Sequence, residues 1–178
     1  MKKNLKFAAG LLSLLVWASA AFAAMSADQL MRTRSVLVWV GGNRIGDLMV
    51  GADAKLQFQF IDRPLAERIY SDPNSFPDLI VWNASYIDKA SRGRCNLVLL
   101  IYKAMNRWNF DPGLIRVNGE PIDRKRLYTS LLSKPVGNLP EGTQDAIAFG
   151  VPRSISKPGA KILFSYGDYQ SEFKVPEK

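Results

Sequence analysis

Residues 55–60 read Lys55-Leu56-Gln57-Phe58-Gln59-Phe60, a strict alternation of polar and apolar side chains. Successive side chains of a β-strand point to opposite faces of its sheet, so the leucine and the two phenylalanines share one face. We therefore predict a strand that turns these three side chains towards a core. Lys55, Gln57 and Gln59 are expected to face water.

Other apolar runs predict strands on both sides of this one. Residues 35–40 end at Gly41-Gly42-Asn43, which is typical of a turn, and residues 45–50 are the expected returning strand. Residues 79–82 are predicted to form a strand that extends towards Tyr86. Residues 97–102 are apolar on both faces, which favours a central strand covered on both sides, although a buried helix running on to Trp108 has the same composition.

The second half of the chain carries the clearest hairpin motif. Asn118-Gly119 follows the apolar residues 114–117, and this dipeptide readily adopts the two positive φ angles of a type I′ turn. Pro121 lacks an N–H group, so the returning strand should lie at a sheet edge. Residues 145–151 alternate again, and a closing hairpin is predicted around Gly167-Asp168.

Helical patterns are short. They occupy residues 26–29, which have capping-box spacing, residues 64–70, and residues 124–132 with Asp123 as an N-cap. The strands are more numerous and are separated by turns rich in Gly, Pro and Asn. We predict a mostly-β fold, an antiparallel β-sandwich of immunoglobulin-like size with one to three short helices; the alternative is an α+β fold.

The N-terminus has the pattern of a cleavable export signal. Three lysines within residues 1–6 precede an apolar stretch, residues 7–22, and Ala21-Phe22-Ala23 supplies the small residues of a cleavage site. We expect cleavage before Ala24, with Ala20 and Ala21 as the alternative. Sixteen apolar residues fall short of the roughly 20 that span a bilayer, so we expect no integral membrane protein after cleavage.

Removing 23 residues from 178 leaves 155, which fits a single globular domain over residues 24–178. The loss of three lysines lowers the formal charge from +8 to +5, a balance that favours anionic neighbours. Cys95 is the only cysteine, which excludes both an intramolecular disulfide and a lipidated N-terminus. We expect a bacterial periplasmic or secreted protein.

The sequence contains no histidine. This excludes a Ser-His-Asp triad, a Cys-His pair, an H-E-x-x-H metalloprotease and a histidine kinase, and leaves carboxylates, lysine or tyrosine as the possible catalytic groups. Glu120 and Asp123 are the nearest pair of acids, but they flank a tight turn. We find no phosphate-binding or calcium loop, and we predict no catalytic residue, no cofactor and no metal ion.

Basic and aromatic residues are the candidates for binding. Residues 124–126, Arg-Lys-Arg, together with Arg116 form one basic cluster, and Arg92 and Arg94 form a second; either could bind a phosphate, a carboxylate or an anionic glycan. Residues 108–112 are expected in a loop that exposes the rings of Trp108 and Phe110. The predicted partner-binding residues are Trp108, Phe110, Arg116 and Arg124.

Together these features predict a non-enzymatic cell-envelope domain that binds a protein partner or an anionic glycan through a sheet edge or aromatic loops. We expect no nucleic-acid partner, because an exported protein does not meet nucleic acid as its ordinary target. One alternative is a carrier that encloses a small apolar ligand or lipid in a cavity. The other is a histidine-free hydrolase that cleaves envelope glycan with two carboxylates.

Overall fold

The computed structural model describes residues 25–177, so the predicted export signal lies outside the described residues. These residues form ten strands: β1 Ser35–Ile45, β2 Leu48–Ile61, β3 Cys95–Ala104, β4 Trp108–Phe110, β5 Ile115–Val117, β6 Glu120–Pro121, β7 Gly137–Leu139, β8 Gln144–Pro152, β9 Lys161–Tyr166 and β10 Tyr169–Lys174. Four short helices accompany them: α1 Ala27–Thr33, α2 Arg63–Ser71, α3 Asp78–Trp82 and α4 Tyr86–Arg92. None of the helices in this part of the chain has the length and apolar character needed to cross a membrane.

The strands form three antiparallel sheets. The first has the order β1-β2-β3-β8, the second β10-β9-β5-β6, and a two-stranded ribbon joins β4 to β7. The mostly-β antiparallel sandwich is thus confirmed, with one helix more than the expected one to three.

The first core lies between the two large sheets. Phe58 of β2 stacks on Phe164 of β9 with 4.6 Å between ring centroids, and Phe60 lies 5.4 Å from Phe173 of β10. The predicted inward face of residues 55–60 is confirmed. Gln59 was wrongly expected in water: α1 covers it, and its Nε2 donates hydrogen bonds to the carbonyls of Met31 and Arg34.

The second core lies on the opposite face of the first sheet, under the helices. Leu65 and Ile69 of α2 and Ile80 of α3 pack there with Leu97 and Leu99 of β3. Strand β3 is therefore buried on both faces. This confirms the strand interpretation of residues 97–102 over the helical one.

Two local predictions are wrong. Residues 79–82 belong to α3, which begins after Pro77, buries Ile80 and leaves Trp82 69% exposed. Gly41-Gly42 does not end its strand: both residues have positive φ and form a bulge within the β1–β2 pairing, and the chain turns at Gly46 instead.

The segment after β6 also differs from the expected helix over residues 124–132. Asp123 does cap it by accepting a hydrogen bond from Lys125 N, but only two separate 3-10 turns form, Arg124–Arg126 and Leu131–Ser133. Tyr128 N then donates to the Ala148 carbonyl at 2.9 Å, and Ala148 N donates to Thr129 Oγ1. Because the segment pairs with the outer edge of β8, it cannot continue as a helix.

The Asn118-Gly119 hairpin is confirmed, with φ of 52° at Asn118 and 82° at Gly119. Pro121 lies in β6 at the edge of the second sheet, as predicted. The closing hairpin is confirmed as β9 and β10.

Candidate anion-binding site

The two aromatic residues predicted to contact a partner are in the core. Trp108 and Phe110 are the alternate residues of β4, and both side chains turn inward, 4.9 Å apart between ring centroids. Between ring centroids, Phe110 also lies 4.3 Å from Tyr102, and Trp108 lies 5.3 Å from Tyr166. The expectation of exposed rings on a loop is therefore wrong, because a short ribbon and not a loop carries them.

The two predicted arginines have different immediate neighbours. Arg116 is on β5, and its guanidinium donates to the Gly119 carbonyl of its own hairpin at 3.4 Å. Arg124 is exposed at the 3-10 turn and lines a pocket of about 320 Å³ that also contains Asp111. Arg116 does not line this pocket, so the two arginines are not brought together there.

Three other arginines do share a pocket, which we call the three-arginine pocket. Arg94, Arg126 and Arg153 line it over a volume of about 550 Å³. The remaining lining residues are small or uncharged: Gly93, Cys95, Pro152 and Ser154. No carboxylate lines this pocket, so its formal charge is positive.

Backbone pairing brings these arginines together from three segments. Cys95 pairs with Pro152 at the ends of β3 and β8, and Arg153 N donates to the Arg94 carbonyl at 3.0 Å. Arg126 joins them because the next residues, 127–129, pair with the edge of β8. Arg94 adopts a φ of 54°, which is unfavourable for a residue other than glycine.

Tyr128 and Cys95 support the wall of the pocket. Cys95 is buried, and its Sγ donates to the Gly93 carbonyl at 3.3 Å. Burial, aided by the neighbouring Cys95, raises the pKa of Tyr128 to about 12. Lys89 Nζ lies 5.2 Å from the centroid of the Tyr128 ring, which adds a further cation beside this region.

The guanidinium groups keep donors available for a ligand. Arg153 donates one hydrogen bond to Ser91 Oγ at 3.0 Å, and Arg126 Nε is 3.9 Å from Asp123. Within the described residues, neither Arg94 nor Arg153 forms an ion pair. A guanidinium has five N–H donors in a planar fork that matches carboxylate and phosphate oxygens.

A cleft of about 360 Å³ lies next to this pocket, between α2 and α4. Two of its three acids accept hydrogen bonds from arginines: Asp62 from Arg34 at 2.8 Å and Glu67 from Arg63 at 2.7 Å. Burial and the nearby Asp88 carboxylate raise the pKa of Tyr70, which also lines the cleft.

Arg94 and the cluster containing Arg126 are recognisable in the sequence as basic clusters, whereas Arg153 is not. A single arginine after proline carries no local pattern, and only the pairing of β3 with β8 places it beside Arg94. Among residues 25–177 there is no group of three or more acidic or cysteine side chains placed to hold a metal ion. Comparison of the chain with protein-family models, curated proteins and solved structures finds no match.

Proposed function

We propose that this protein is an exported cell-envelope domain that binds, without catalysis, an anionic group of an envelope glycan at the three-arginine pocket. The observation that carries the proposal is the convergence of Arg94, Arg126 and Arg153 on one acid-free pocket. Several arginines around one concavity favour carboxylate or phosphate ligands, since each guanidinium can bind two oxygens at once.

A binding role also agrees with the chemistry that the chain offers. The sequence has no histidine, its one cysteine is buried, and Asp62 and Glu67 are engaged by arginines. Glu120 and Asp123 are exposed at a hairpin and a turn, with Asp123 serving as a cap. These arrangements give little support to a two-carboxylate hydrolase, which needs two acids facing one substrate bond.

The carrier alternative gains no support from the space between the two large sheets. Phe58 and Phe164 stack across it, and the other aromatic side chains of the first core fill the neighbouring volume. A carrier needs an enclosed apolar cavity of several hundred cubic ångströms in such a position.

Calorimetric titration of the purified chain tests the proposal. The probes are inorganic phosphate and an oligogalacturonate, a glycan with one carboxylate per sugar; a neutral malto-oligosaccharide of equal length is the control. We expect both anionic probes to bind, more weakly at higher salt because exposed charges are screened. The neutral glycan should bind at least about tenfold more weakly, since one charge-assisted contact is worth roughly that factor.

Two substitutions locate the site. Arg153→Gln and Arg94→Asn, the latter chosen because Asn tolerates a positive φ, should each lower the affinity for phosphate by about tenfold. Arg44→Gln removes the same charge from the β1–β2 hairpin and should leave the affinity unchanged. Equal losses for all three variants, or no binding of either anion by the original chain, would overturn the proposal.

A further inference from the structure

Arg153 stands where three concave surfaces meet. It lines the three-arginine pocket, the cleft between α2 and α4, and a groove of about 390 Å³ beside the C-terminal residues Val175–Glu177. The last two surfaces also share Asp62, Arg63 and Asn96. We call this continuous surface the end groove, because it crosses the ends of β2, β3 and β8.

We propose that the end groove binds an extended anionic glycan over several sugar units, so that the ligand is a polymer and not an isolated anion. The proposal rests on the function proposed above and specifies its ligand. In this arrangement the three-arginine pocket holds one anionic group, and the remainder of the groove holds the sugars that follow it.

The distribution of charge favours an anionic ligand at the three-arginine pocket and beside the C-terminal residues. Three of the end groove's four acids are neutralised within the protein: Asp62 by Arg34, Glu67 by Arg63 and Glu177 by Lys174. In contrast, Arg153 at the centre and Lys157 towards the C-terminal end form no ion pair with any described residue. The available charges are therefore mostly positive, with Asp88 as the exception.

The uncharged lining suits sugars. Pro64 and Pro158 are exposed and offer apolar surface for the faces of pyranose rings. The half-buried Asn96 offers an amide that is already oriented, because its Nδ2 donates to Oγ of the buried Ser156 at 2.9 Å and Ser156 Oγ in turn donates to the Pro152 carbonyl at 2.8 Å. Apolar walls with a few fixed polar groups are typical of sites that bind small molecules and sugars.

The course of the end groove favours a glycan over an acidic peptide. Extended peptides commonly bind by adding a strand to a sheet edge, where unpaired backbone groups lie in a row. The end groove runs across the ends of β2, β3 and β8 and not along an edge: Ile61 is paired with Leu97, and Cys95 with Pro152. It therefore offers side-chain contacts and not a row of backbone partners.

The test is the dependence of affinity on ligand length. The purified chain is titrated with galacturonate oligomers of one, two, four and eight units, and with glutamate oligomers of the same lengths. If the whole groove is used, affinity should rise at least about tenfold from the dimer to the octamer, since linked contacts reinforce one another. The glutamate oligomers should bind more weakly than the galacturonates at every length.

Lys157→Gln is the variant specific to this proposal. It should lower the affinity for the octamer about threefold or more and leave the affinity for inorganic phosphate unchanged, since it lies outside the three-arginine pocket. Lys103→Gln, an exposed position of β3 away from the end groove, is the matched control and should change neither affinity.

The outcomes separate this proposal from the function on which it rests. Suppose that phosphate binding depends on Arg94, but affinity does not rise with oligomer length and Lys157→Gln has no effect. This result would overturn the proposal of a polymeric ligand and retain the anion-binding site. If the glutamate oligomers bind more tightly than the galacturonates, the ligand is an acidic peptide and the glycan proposal is overturned. Absence of phosphate and oligomer binding alike would remove both proposals.

Discussion

Gly150 of β8 occupies a position with no room for a side chain. A Cβ atom there would lie 2.4 Å from Tyr128 Oη and 3.0 Å from Cys95 Cβ. We predict that Gly150→Ala lowers the free energy of unfolding by about 1–3 kcal/mol, the usual cost of overpacking a dense interior. Chemical denaturation monitored by tryptophan fluorescence measures the change.

Two comparisons isolate the tyrosine hydroxyl as the cause. Gly93→Ala should be close to neutral, because its nearest contact would be an ordinary 3.4 Å. Adding Tyr128→Phe to Gly150→Ala should restore part of the lost stability by removing the closest atom. A Gly150→Ala protein as stable as the original would contradict the prediction.

The same hydroxyl makes stability depend on pH in alkaline solution. Tyr128 has a pKa of about 12 in the folded protein, above the ordinary value of 10.0, so the folded state retains a proton that the unfolded state releases. Its contribution to stability is complete below pH 10 and should be lost as the pH rises from 10 to 12. Denaturation midpoints across this range should fall less steeply in Tyr128→Phe than in the original chain; equal slopes would contradict the assignment.

At the level of the elements, one ion pair joins α1 to α2. Arg34 follows α1, is only 4% exposed, and donates through Nε to Asp62, whose carboxylate also caps α2 at Leu65 N. We predict that Asp62→Ala costs about 3 kcal/mol or more, because it removes the cap and leaves a buried guanidinium unpaired. Urea denaturation measures this loss.

Glu67→Ala provides the control for that experiment. It breaks the Arg63–Glu67 pair, whose side chains are 88% and 63% exposed, and should cost at most about 0.5 kcal/mol. The stability lost in Asp62→Asn should lie between the losses in Asp62→Ala and Glu67→Ala, since asparagine still caps a helix. Equal costs for Asp62→Ala and Glu67→Ala would show that burial does not set the strength of the Arg34–Asp62 pair.

Elements with a long and clear period were predictable from the sequence, and short ones were not. Residues 55–60 and the Asn118-Gly119 hairpin carry their own signals, namely strict alternation and a dipeptide suited to positive φ. Residues 79–82 span little more than one helical turn, too few to separate a period of 2 from one of 3.6. Gly41-Gly42 looked like a turn because a bulge needs the same positive φ values.

The candidate site was predictable only in part, for a related reason. Arg94 and the cluster around Arg126 stand out as basic residues in the sequence, but their partner Arg153 is brought to them by pairing between strands about 50 residues apart. Trp108 and Phe110 were wrongly predicted to lie at the surface, because the three-residue strand β4 directs both rings into the core. Local patterns identify residue types, whereas a site depends on long-range pairing.

Across the whole molecule, β3 couples the two cores. Leu99 faces the helices and Leu100 faces the second sheet, although they are adjacent and both are fully buried. We predict that Leu99→Ala and Leu100→Ala each cost about 2–5 kcal/mol, since each leaves a cavity in a dense core. Leu48 is 69% exposed, so Leu48→Ala should change the free energy of unfolding by no more than about 0.5 kcal/mol.

The position of β3 also determines how the protein should unfold. If the helices formed an independent layer, Leu99→Ala would release them at a temperature where both sheets remain intact, and calorimetry would record two transitions. Because a single strand supplies adjacent side chains to both cores, losing either core exposes the strand that the other requires. We therefore expect one transition in both variants, with the calorimetric and van't Hoff enthalpies equal; a separate low-temperature transition in Leu99→Ala alone would show that the helical layer folds independently of the sandwich.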